Sequence, residues 1–292
     1  MISIIITAYK EPNIHHAIEA IIRQRIDEEH EIIIAAPDKA TLDIAKKYTV
    51  HNKRIKLFQD PGKGKSYALN LLLPKLKGRI IILTDGDIYV GRDSINYLME
   101  KFSNQEVGCV SGHPIPQDSK NNMFGYWSHV LCYSAHRLRE ARAKKNQFLE
   151  CSGYLWAFRN GVIKKFPKDV AEDTIVPILF YRKGWKIDYA ENALVYVKYP
   201  DNIPDFIEQK KRTAKSHETL SLYVNDIPRM KTFFNEIMGS FIVLGYPKTL
   251  TELGYTLWLF PLRLQIWLIT FYHKYVKNDY YHDAWKRVDS AR

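Results

Sequence analysis

Cysteine is scarce in this chain of 292 residues, and its scarcity excludes two common ways of stabilising a fold. The 3 Cys are odd in number, far apart in sequence and never arranged as CxxC. A disulfide scaffold and a structural zinc site are therefore not expected. A basic segment followed by a cleavage site is missing as well, so we expect no secretory signal and a cytoplasmic protein.

Acidic residues are outnumbered by basic ones, 32 Asp and Glu against 43 Lys and Arg, which gives a formal net charge of +11. This excess predicts an anionic partner, which the charge alone leaves open among nucleic acid, phosphorylated metabolites and an acidic membrane surface. A hydrophobic share of 46% and a charged share of 26% are ordinary for a folded chain and argue against disorder.

Residues 1–112 alternate short β-branched apolar runs with amphipathic helical patterns, which predicts a mostly parallel α/β sheet flanked by helices. The predicted strands are 2–6, 31–36, 54–58, 79–84 and 107–111. The predicted helices between them are 14–22, 38–47 and 62–73.

The alternation weakens over residues 113–225, which we assign to the second half of one catalytic domain spanning 1–225. The patterns predict helices at 123–145, 173–182 and 204–222, an extended segment at 150–159, and two short strands within 185–199. The end of the first helix is expected to be a solvated basic surface formed by Arg137, Arg139, Arg142, Lys144 and Lys145.

Residues 226–292 form a C-terminal region rich in Leu, Ile, Phe and Trp over 238–246 and 254–272. The second run is close to the roughly 20 apolar residues that a spanning helix needs, but Arg263 would then lie in mid-bilayer. We therefore predict helices that lie on an anionic membrane surface. The residues expected at headgroup depth are Trp258, Trp267, Tyr272 and Tyr275, with Lys274, Lys277 and further basic residues up to 287 facing lipid phosphates. The alternative is a helical hairpin that packs on the domain or forms a homodimer.

Polar residues follow each of the first four predicted strands. Ligands of open α/β sheets bind beyond the carboxyl ends of the strands, and these residues would share that edge. They are Thr7, Tyr9 and Glu11 after the first strand, Asp38 after the second, Lys65 after the third, and Asp85 and Asp87 after the fourth. Their coincidence at one edge predicts a ligand site there.

Asp85 and Asp87 are separated by a single glycine at the end of a buried run. Two carboxylates in this position can bind one divalent cation that keeps open positions for phosphate oxygens. A plain Asp-Gly-Asp turn is the alternative. Because the apolar run brings both anions to one place, they repel each other unless a cation lies between them.

Lys65 lies in a glycine-rich turn that invites comparison with a phosphate-binding loop. That motif requires a glycine at position 59, which is occupied by Gln59. A looser interpretation remains, in which backbone amides and Lys65 approach a ligand. An ordinary helix start with solvated lysines is equally compatible with the sequence.

Three further segments do not indicate a function when each is considered alone. Glu172 and Asp173 open a helix, where acids are commonly caps. Gln209 and Arg212 share a helix face, which is more often a solvated basic surface. Cys151 is followed by Ser-Gly but lacks a convincing His-Asp set, so nucleophilic catalysis has little support.

Together the segments resemble family 2 glycosyltransferases of the GT-A fold, the group that contains cellulose, chitin and hyaluronan synthases. IIITAYKE at 4–11 is similar to the family's first strand and its P-x-Y-N-E-like segment, and GKGK at 62–65 with ALN at 68–70 to its GK..ALN helix. DGD at 85–87 matches the DxD motif. SG and FR, at 152–153 and 158–159, resemble the acceptor-side element, ED at 172–173 the ED motif, and QKKR at 209–212 the QxxRW motif. The order and spacing hold over residues 1–215.

The resemblance implies an inverting transferase that moves a sugar from a nucleotide-diphospho-sugar, with UDP expected, to a hydroxyl of a glycan or lipid-linked acceptor. It implies Mg²⁺ or Mn²⁺ at Asp87 and Asp85, Asp173 as general base beside Glu172, and Arg212 at the leaving diphosphate. The resemblance makes residues 1–112 the nucleotide-sugar-binding half and residues 113–225 the acceptor-side half. The implied nucleotide-sugar contacts are Thr7, Tyr9, Glu11, Asp38, Lys65, Asp85 and Gln209, and the implied acceptor-side residues are Ser152 and Gly153.

The sequence departs from the family at three points. Thr213 stands where QxxRW has tryptophan, which weakens the case for a processive polymerase. Ala35 and Ala36 stand where an acid is usual after the second strand, which leaves only Asp38 for the base contact. The spanning helices of the synthases are missing, so no translocation channel is expected.

Three other classes compete with this interpretation. A sugar-nucleotidyltransferase shares the sheet and the metal, but its glycine-rich loop after the first strand is replaced here by residues 7–12. A nucleic-acid binder would explain the charge, yet no recognition motif is present. A protein that only binds anionic membranes would leave the DGD, ED and QxxR segments unexplained. Neither the sugar nor the acceptor follows from the sequence.

Overall fold

One mixed sheet organises the fold in the computed structural model, which describes residues 1–220, 223–224, 230–282 and 290–291. The strands are β1 (Ile2–Thr7), β2 (His30–Ala36), β3 (Ile55–Gln59), β4 (Ile80–Asp85), β5 (Tyr89–Val90), β6 (Val107–Pro116), β7 (Leu155–Arg159) and β8 (Lys186–Val197). Their order across the sheet is β3-β2-β1-β4-β7-β6-β8-β5.

The first four strands of this sheet run parallel, as the alternating pattern predicts. β1 lies between β2 and β4, with Ile4 opposite both Ile32 and Ile82. All six residues of β1 are buried because helices cover both faces of the sheet. The carboxyl ends of β1 and β4 therefore open at one edge, with Thr7 beside Asp85.

The helices follow in the order expected for an α/β chain. Their bounds are α1 (Ile14–Ile22), α2 (Lys39–Thr49), α3 (Lys65–Leu72), α4 (Ser94–Lys101), α5 (Met123–Lys144), α6 (Glu172–Arg182), α7 (Ile203–Thr219), α8 (Phe233–Leu244) and α9 (Leu250–Tyr275). A single 3₁₀ turn, Leu73–Lys75, extends α3. The prediction missed α4 and the two-residue β5.

The prediction of two short strands within 185–199 is wrong, because β8 is one strand that pairs in parallel with β6. The pairing register shifts between Ser111 and His113, opposite the polar residues Glu191 and Asn192. Those two residues interrupt the apolar alternation and imitate a turn in the sequence. In the fold they lie at a bulge that leaves the strand continuous.

The basic end of α5 is only partly solvated. Arg139 is 5% exposed and its Nε donates to the backbone oxygen of Glu150 at 3.1 Å. Arg142 donates to the backbone oxygen of Phe148 at 2.9 Å. The predicted solvated basic surface is therefore wrong at Arg139, because the segment after α5 folds back and offers it backbone acceptors.

The C-terminal helices pack on the domain along one side. α9 buries Leu259, Leu262 and Ile266 in a cluster with residues of α5 and α7. Trp127 donates its indole N–H to the backbone oxygen of Tyr255 at 2.7 Å. Trp267 is 3% exposed, so its predicted place at headgroup depth is wrong.

Arg263, the charge that argued against a spanning helix, is held by the neighbouring helix. Its guanidinium donates to both carboxylate oxygens of Glu236 in α8, at 2.6 Å for the Nη2 atom. No helix among the described residues is long and apolar enough to cross a membrane. The predicted basic stretch at 274–287 lies partly outside the described residues.

Candidate active site

A cavity of about 470 Å³ opens at the carboxyl ends of β1 and β4, bounded by the start of α6 and one side of α7. It brings together every predicted site residue except Asp38. Those residues are Thr7, Tyr9, Glu11, Lys65, Asp85, Asp87, Ser152, Gly153, Glu172, Asp173, Gln209 and Arg212. Segments more than 200 residues apart in sequence thus meet at one sheet edge.

Asp38 lies outside this cavity because both of its oxygens serve the backbone. One accepts the Thr41 N–H and hydroxyl, at 2.9 and 2.7 Å, as the N-cap of α2. The other accepts the Lys10 N–H at 2.7 Å. These hydrogen bonds lower the pKa of the carboxyl, although burial acts against them. The structure thus places Asp38 as a cap that also fixes the loop after β1.

Lys65 connects the acid at the end of β4 to the acid at the start of α6. Its Nζ lies 2.8 Å from Asp85 Oδ1 and 2.7 Å from Glu172 Oε1. Burial by itself lowers the pKa of Lys65, but the two carboxylates more than reverse this and raise it well above its usual value. Thr7 also donates to Asp85 Oδ1, at 2.9 Å. Asp85 is therefore held from two sides.

Asp87 projects from the turn after β4 and is exposed. Gly86, between the two aspartates, donates its N–H to the backbone oxygen of Thr7 at 2.8 Å. A Cβ on Gly86 would lie 2.7 Å from the Cβ of Ala8. The glycine is therefore needed so that the turn can lie against β1 with one carboxylate held and the other open to the cavity.

Asp173 is a buried carboxylate whose pKa is shifted towards neutrality. Burial raises its pKa to about 6, and the neighbouring charge of Glu172 acts in the same direction, against Lys231 and Lys65. Gly153 lies directly against it, since a Cβ there would be 2.9 Å from Asp173 Oδ2. A carboxyl with a pKa near neutrality can accept a proton in one step and release it in the next.

The sequence interpretation missed several residues that line the same cavity. They include Arg139, Tyr154, Tyr199, Lys210, His217, Lys231, Arg263 and Tyr281. Lys210 adjoins the motif at 209–212, and Arg263 is a lone charge in an apolar run. These two features could be noticed in the sequence. Only the packing of α9 against α7 shows that Lys210 and Arg263 line the same cavity.

Buried polar contacts connect some of the residues that line the cavity to the rest of the domain. His217 Nδ1 lies 3.7 Å from Glu150 Oε2, with side-chain exposures of 3% and 1%. The other oxygen of Glu150 accepts the Met230 N–H at 2.9 Å. Tyr199 shares a hydrogen bond of 2.9 Å with Cys132 Sγ. These contacts tie α7 and the segment before α8 to the domain.

The two aspartates after β4 fit a divalent cation by chemistry, since hard cations prefer carboxylate oxygens. Within the described part of the chain no group of three or more His, Cys, Asp or Glu could hold a metal ion. A cation at Asp85 and Asp87 would therefore complete its shell with ligand oxygens, as a diphosphate supplies.

Comparison with known sequences matches residues 3–166 to the family described as Glycosyl transferase family 2. An N-acetylglucosaminyltransferase of Rhizobium meliloti is 25% identical over 170 residues, 52% of this chain and 39% of the relative. "Probable glycosyltransferase YdaM" of Bacillus subtilis is 24% identical over 236 residues, 76% of this chain and 56% of the relative. The chain thus spans less than two thirds of the length of these relatives.

Comparison with solved structures finds the same architecture at low sequence identity. The mannosyltransferase PcManGT of Pyrobaculum calidifontis, solved with GDP-Man and Mn²⁺, has a TM-score of 0.62 at 17% identity, covering 94% of this chain and 81% of that one. S. aureus TarS 1-349, solved with UDP-GlcNAc, has a TM-score of 0.51 at 16% identity, covering 96% and 93%. The GT-A fold expected from the sequence is confirmed.

Proposed function

Because the chain belongs to glycosyl transferase family 2, we propose that it transfers a sugar from a nucleotide-diphospho-sugar to a hydroxyl acceptor with inversion. The observation that supports this is the arrangement of three acids in one cavity. Asp85 and Asp87 end a parallel strand, and Asp173, whose pKa is raised to about 6, lines the same cavity from α6. UDP is the expected nucleotide, and a glycan or lipid-linked molecule the expected acceptor.

The donor would lie over the ends of β1 and β4. Thr7, Tyr9 and Glu11 line the cavity there and would contact the nucleoside, with Gln209 on the facing helix. Asp87, with Asp85, would hold Mg²⁺ or Mn²⁺ together with the diphosphate. When bound, the cation would neutralise negative charge on the diphosphate as it departs. Lys65 would keep Asp85 in place through its existing ion pair.

Asp173 would act as the general base on the acceptor side, next to Ser152 and Gly153. The acceptor oxygen forms a bond to the anomeric carbon as the bond from that carbon to the phosphate oxygen breaks. The proton of the hydroxyl passes to Asp173, and the electron pair of the broken bond leaves with the nucleoside diphosphate. Arg212, which lines the cavity from α7, would stabilise the charge on that leaving group.

A thermal-shift panel of nucleotide-diphospho-sugars, each with and without Mn²⁺, tests the donor assignment. Because a ligand that binds only the folded state raises its stability, one nucleotide family should raise the melting temperature, and more so with the metal. Absence of a shift with any UDP-, GDP-, ADP- or dTDP-sugar at millimolar concentration would contradict the proposal.

The pH dependence of turnover should follow the protonation of Asp173. Its base form is lost as pH falls through a pKa of about 6, so turnover should decrease below that pH. Glu172→Gln removes the strongest neighbouring charge that raises this pKa, and the acid limb should then move to lower pH. Donor hydrolysis, with water as acceptor, measures both profiles. An acid limb that stays in place in Glu172→Gln would count against Asp173 as the titrating group.

Gly153→Ala should lower turnover by about tenfold or more, because the new methyl group would meet Asp173 Oδ2 at 2.9 Å and displace the base. Gly254→Ala is the matched control, since a Cβ at that exposed helical glycine meets nothing within 4 Å. Steady-state turnover rates of both variants, compared with that of the wild type, test this prediction. Equal rates would mean that Asp173 tolerates displacement and is not the base.

The exposed side of α8 and α9 supports a peripheral role at an anionic membrane surface. α8 exposes Phe234 and Phe241, and α9 exposes Leu257 and Trp258, each by more than half. Lys277 lies beyond the end of α9, 5.5 Å from the ring of Tyr272. An apolar helix face flanked by aromatic rings and lysines suits the headgroup region of a bilayer.

Phe241→Ser combined with Trp258→Ser should weaken binding to vesicles that contain anionic lipid by about tenfold. Val50→Ser is the control, because Val50 is an equally exposed apolar side chain on another part of the surface, at 73% exposure. Cosedimentation with vesicles of neutral and of mixed neutral and anionic lipid gives the affinities. Binding that is absent in the wild type, or unchanged in the double variant, would refute this role.

A further inference from the structure

The cavity that holds the three aspartates also contains a group of three cations. Lys210 comes from α7, Lys231 from the segment before α8, and Arg263 from α9. All three lie outside the residues 3–166 that match the family, and Lys231 and Arg263 belong to the C-terminal region. The family comparison does not assign them a role.

These cations are poorly balanced by protein carboxylates. Within the described ranges, neither Lys210 nor Lys231 forms an ion pair with an acid, although Lys211, next in sequence, pairs with Glu208 at 2.6 Å. Arg263 is paired through Nε and Nη2 with Glu236, which does not line the cavity. Its remaining nitrogen, Nη1, is buried and has no hydrogen-bond partner in the described part of the chain.

Lys210 is held in the cavity by aromatic rings. Its Nζ lies 5.4 Å from the ring centroids of both Tyr199 and Phe206. Burial lowers the pKa of this amine to about 8, and the positive charges of Arg263 and Lys231 add to the effect. Positive charges that lie close together in a partly desolvated cavity repel each other, and a bound anion would remove this repulsion.

We propose that Lys210, Lys231 and Arg263 form a subsite for a phosphate group that is carried by the acceptor. The proposal rests on the proposed glycosyl transfer, whose acceptor it defines more closely. Ammonium and guanidinium groups at one place suit a phosphate, which offers several acceptor oxygens. A lipid phosphate and a phosphorylated sugar both present this group.

The acceptor is favoured over the donor diphosphate by position. Lys231 is close enough to Asp173 that its charge lowers the pKa of that carboxyl, and Asp173 is the group that would meet the acceptor hydroxyl. In the proposed function, Asp85 and Asp87 at the strand ends, with their cation, and Arg212 on α7 already contact the donor diphosphate. A second cationic group beside the base is therefore available to the acceptor.

Titration calorimetry on the full chain with octyl phosphate and glucose 6-phosphate tests the subsite, with octanol and glucose as neutral analogues. The wild type should bind at least one phosphate more tightly than its neutral analogue. Lys210→Met and Lys231→Met should each weaken that binding by about tenfold. Lys211 does not line the cavity, so Lys211→Met should leave the phosphate affinity unchanged. Lys210→Arg should keep the phosphate affinity because the positive charge is kept.

The same variants titrated with a nucleoside diphosphate and Mn²⁺ separate the two proposals. Unchanged nucleotide affinity in Lys210→Met and Lys231→Met, with weakened phosphate binding, supports the acceptor subsite. Parallel loss of both affinities would assign the cations to the donor and overturn it, as would equal binding of phosphate and neutral analogue in the wild type. Failure of the wild type to bind any nucleotide would instead contradict the proposed function.

Discussion

Asp173→Asn is expected to reduce turnover by about 10²–10⁴ while the affinity for the donor stays nearly unchanged. The amide is the same size as the carboxylate but cannot take the proton of the acceptor hydroxyl. Donor binding depends on the ends of β1 and β4, which the substitution does not touch. Donor affinity from thermal shift and turnover from nucleoside diphosphate release are the two measurements.

The folded state should tolerate this substitution. The pKa of Asp173 is raised by burial, so the folded protein binds that proton more tightly than the unfolded chain does. The ionised carboxylate is therefore destabilising once pH exceeds about 6, and a neutral amide removes this penalty. The melting temperature of Asp173→Asn at pH 7.5 should equal or exceed that of the wild type. Normal turnover in a folded variant would exclude Asp173 as the base.

Asp87→Ala is expected to abolish the metal-dependent part of donor binding and to lower turnover by about 10²–10³. Asp87 is exposed to the cavity, whereas Asp85 is engaged by Lys65 and Thr7. Asp87 is thus the more exposed of the two carboxylates, and a cation in the cavity can reach it. Nucleotide titrations with and without Mn²⁺ measure the effect directly.

Asp43→Ala is the matched control for this substitution, because Asp43 is an exposed acid on α2 outside the cavity. It should leave the metal dependence of nucleotide binding unchanged. The account of the metal site would be contradicted if Asp87→Ala retained the wild-type increase in nucleotide affinity on addition of Mn²⁺.

The parallel half of the fold could be predicted because its strands and helices are determined by residues that are close together in the sequence. Each strand is a short β-branched run, each helix has its own apolar face, and parallel strands leave their carboxyl ends at one edge. The acids at 85 and 87 and Lys65 follow directly from that rule. Asp38 obeys the same rule in sequence, but its oxygens accept the backbone N–H of Thr41 in α2 and that of Lys10 after β1.

The rest of the site depends on packing between distant segments. In the sequence, Arg263 interrupts an apolar run. The structure shows that Arg263 lines the cavity and that Glu236 of α8 accepts its hydrogen bonds. Arg139 reads as a solvated charge, yet the backbone at Glu150 accepts its hydrogen bond. Glu236 and Glu150 do not lie one helical turn from the arginines that they bind, so the helical periodicity of the sequence could not predict these contacts. Trp267 is misjudged for the same reason.

The products of the reaction test the central claim most directly. The wild type is incubated with the donor that the thermal-shift panel identifies, Mn²⁺ and an acceptor, and the products are analysed by phosphorus and proton NMR. The account predicts release of nucleoside diphosphate, dependent on the metal, and a sugar product whose anomeric configuration is inverted relative to the donor. Release of inorganic diphosphate, or retention of configuration, would contradict it.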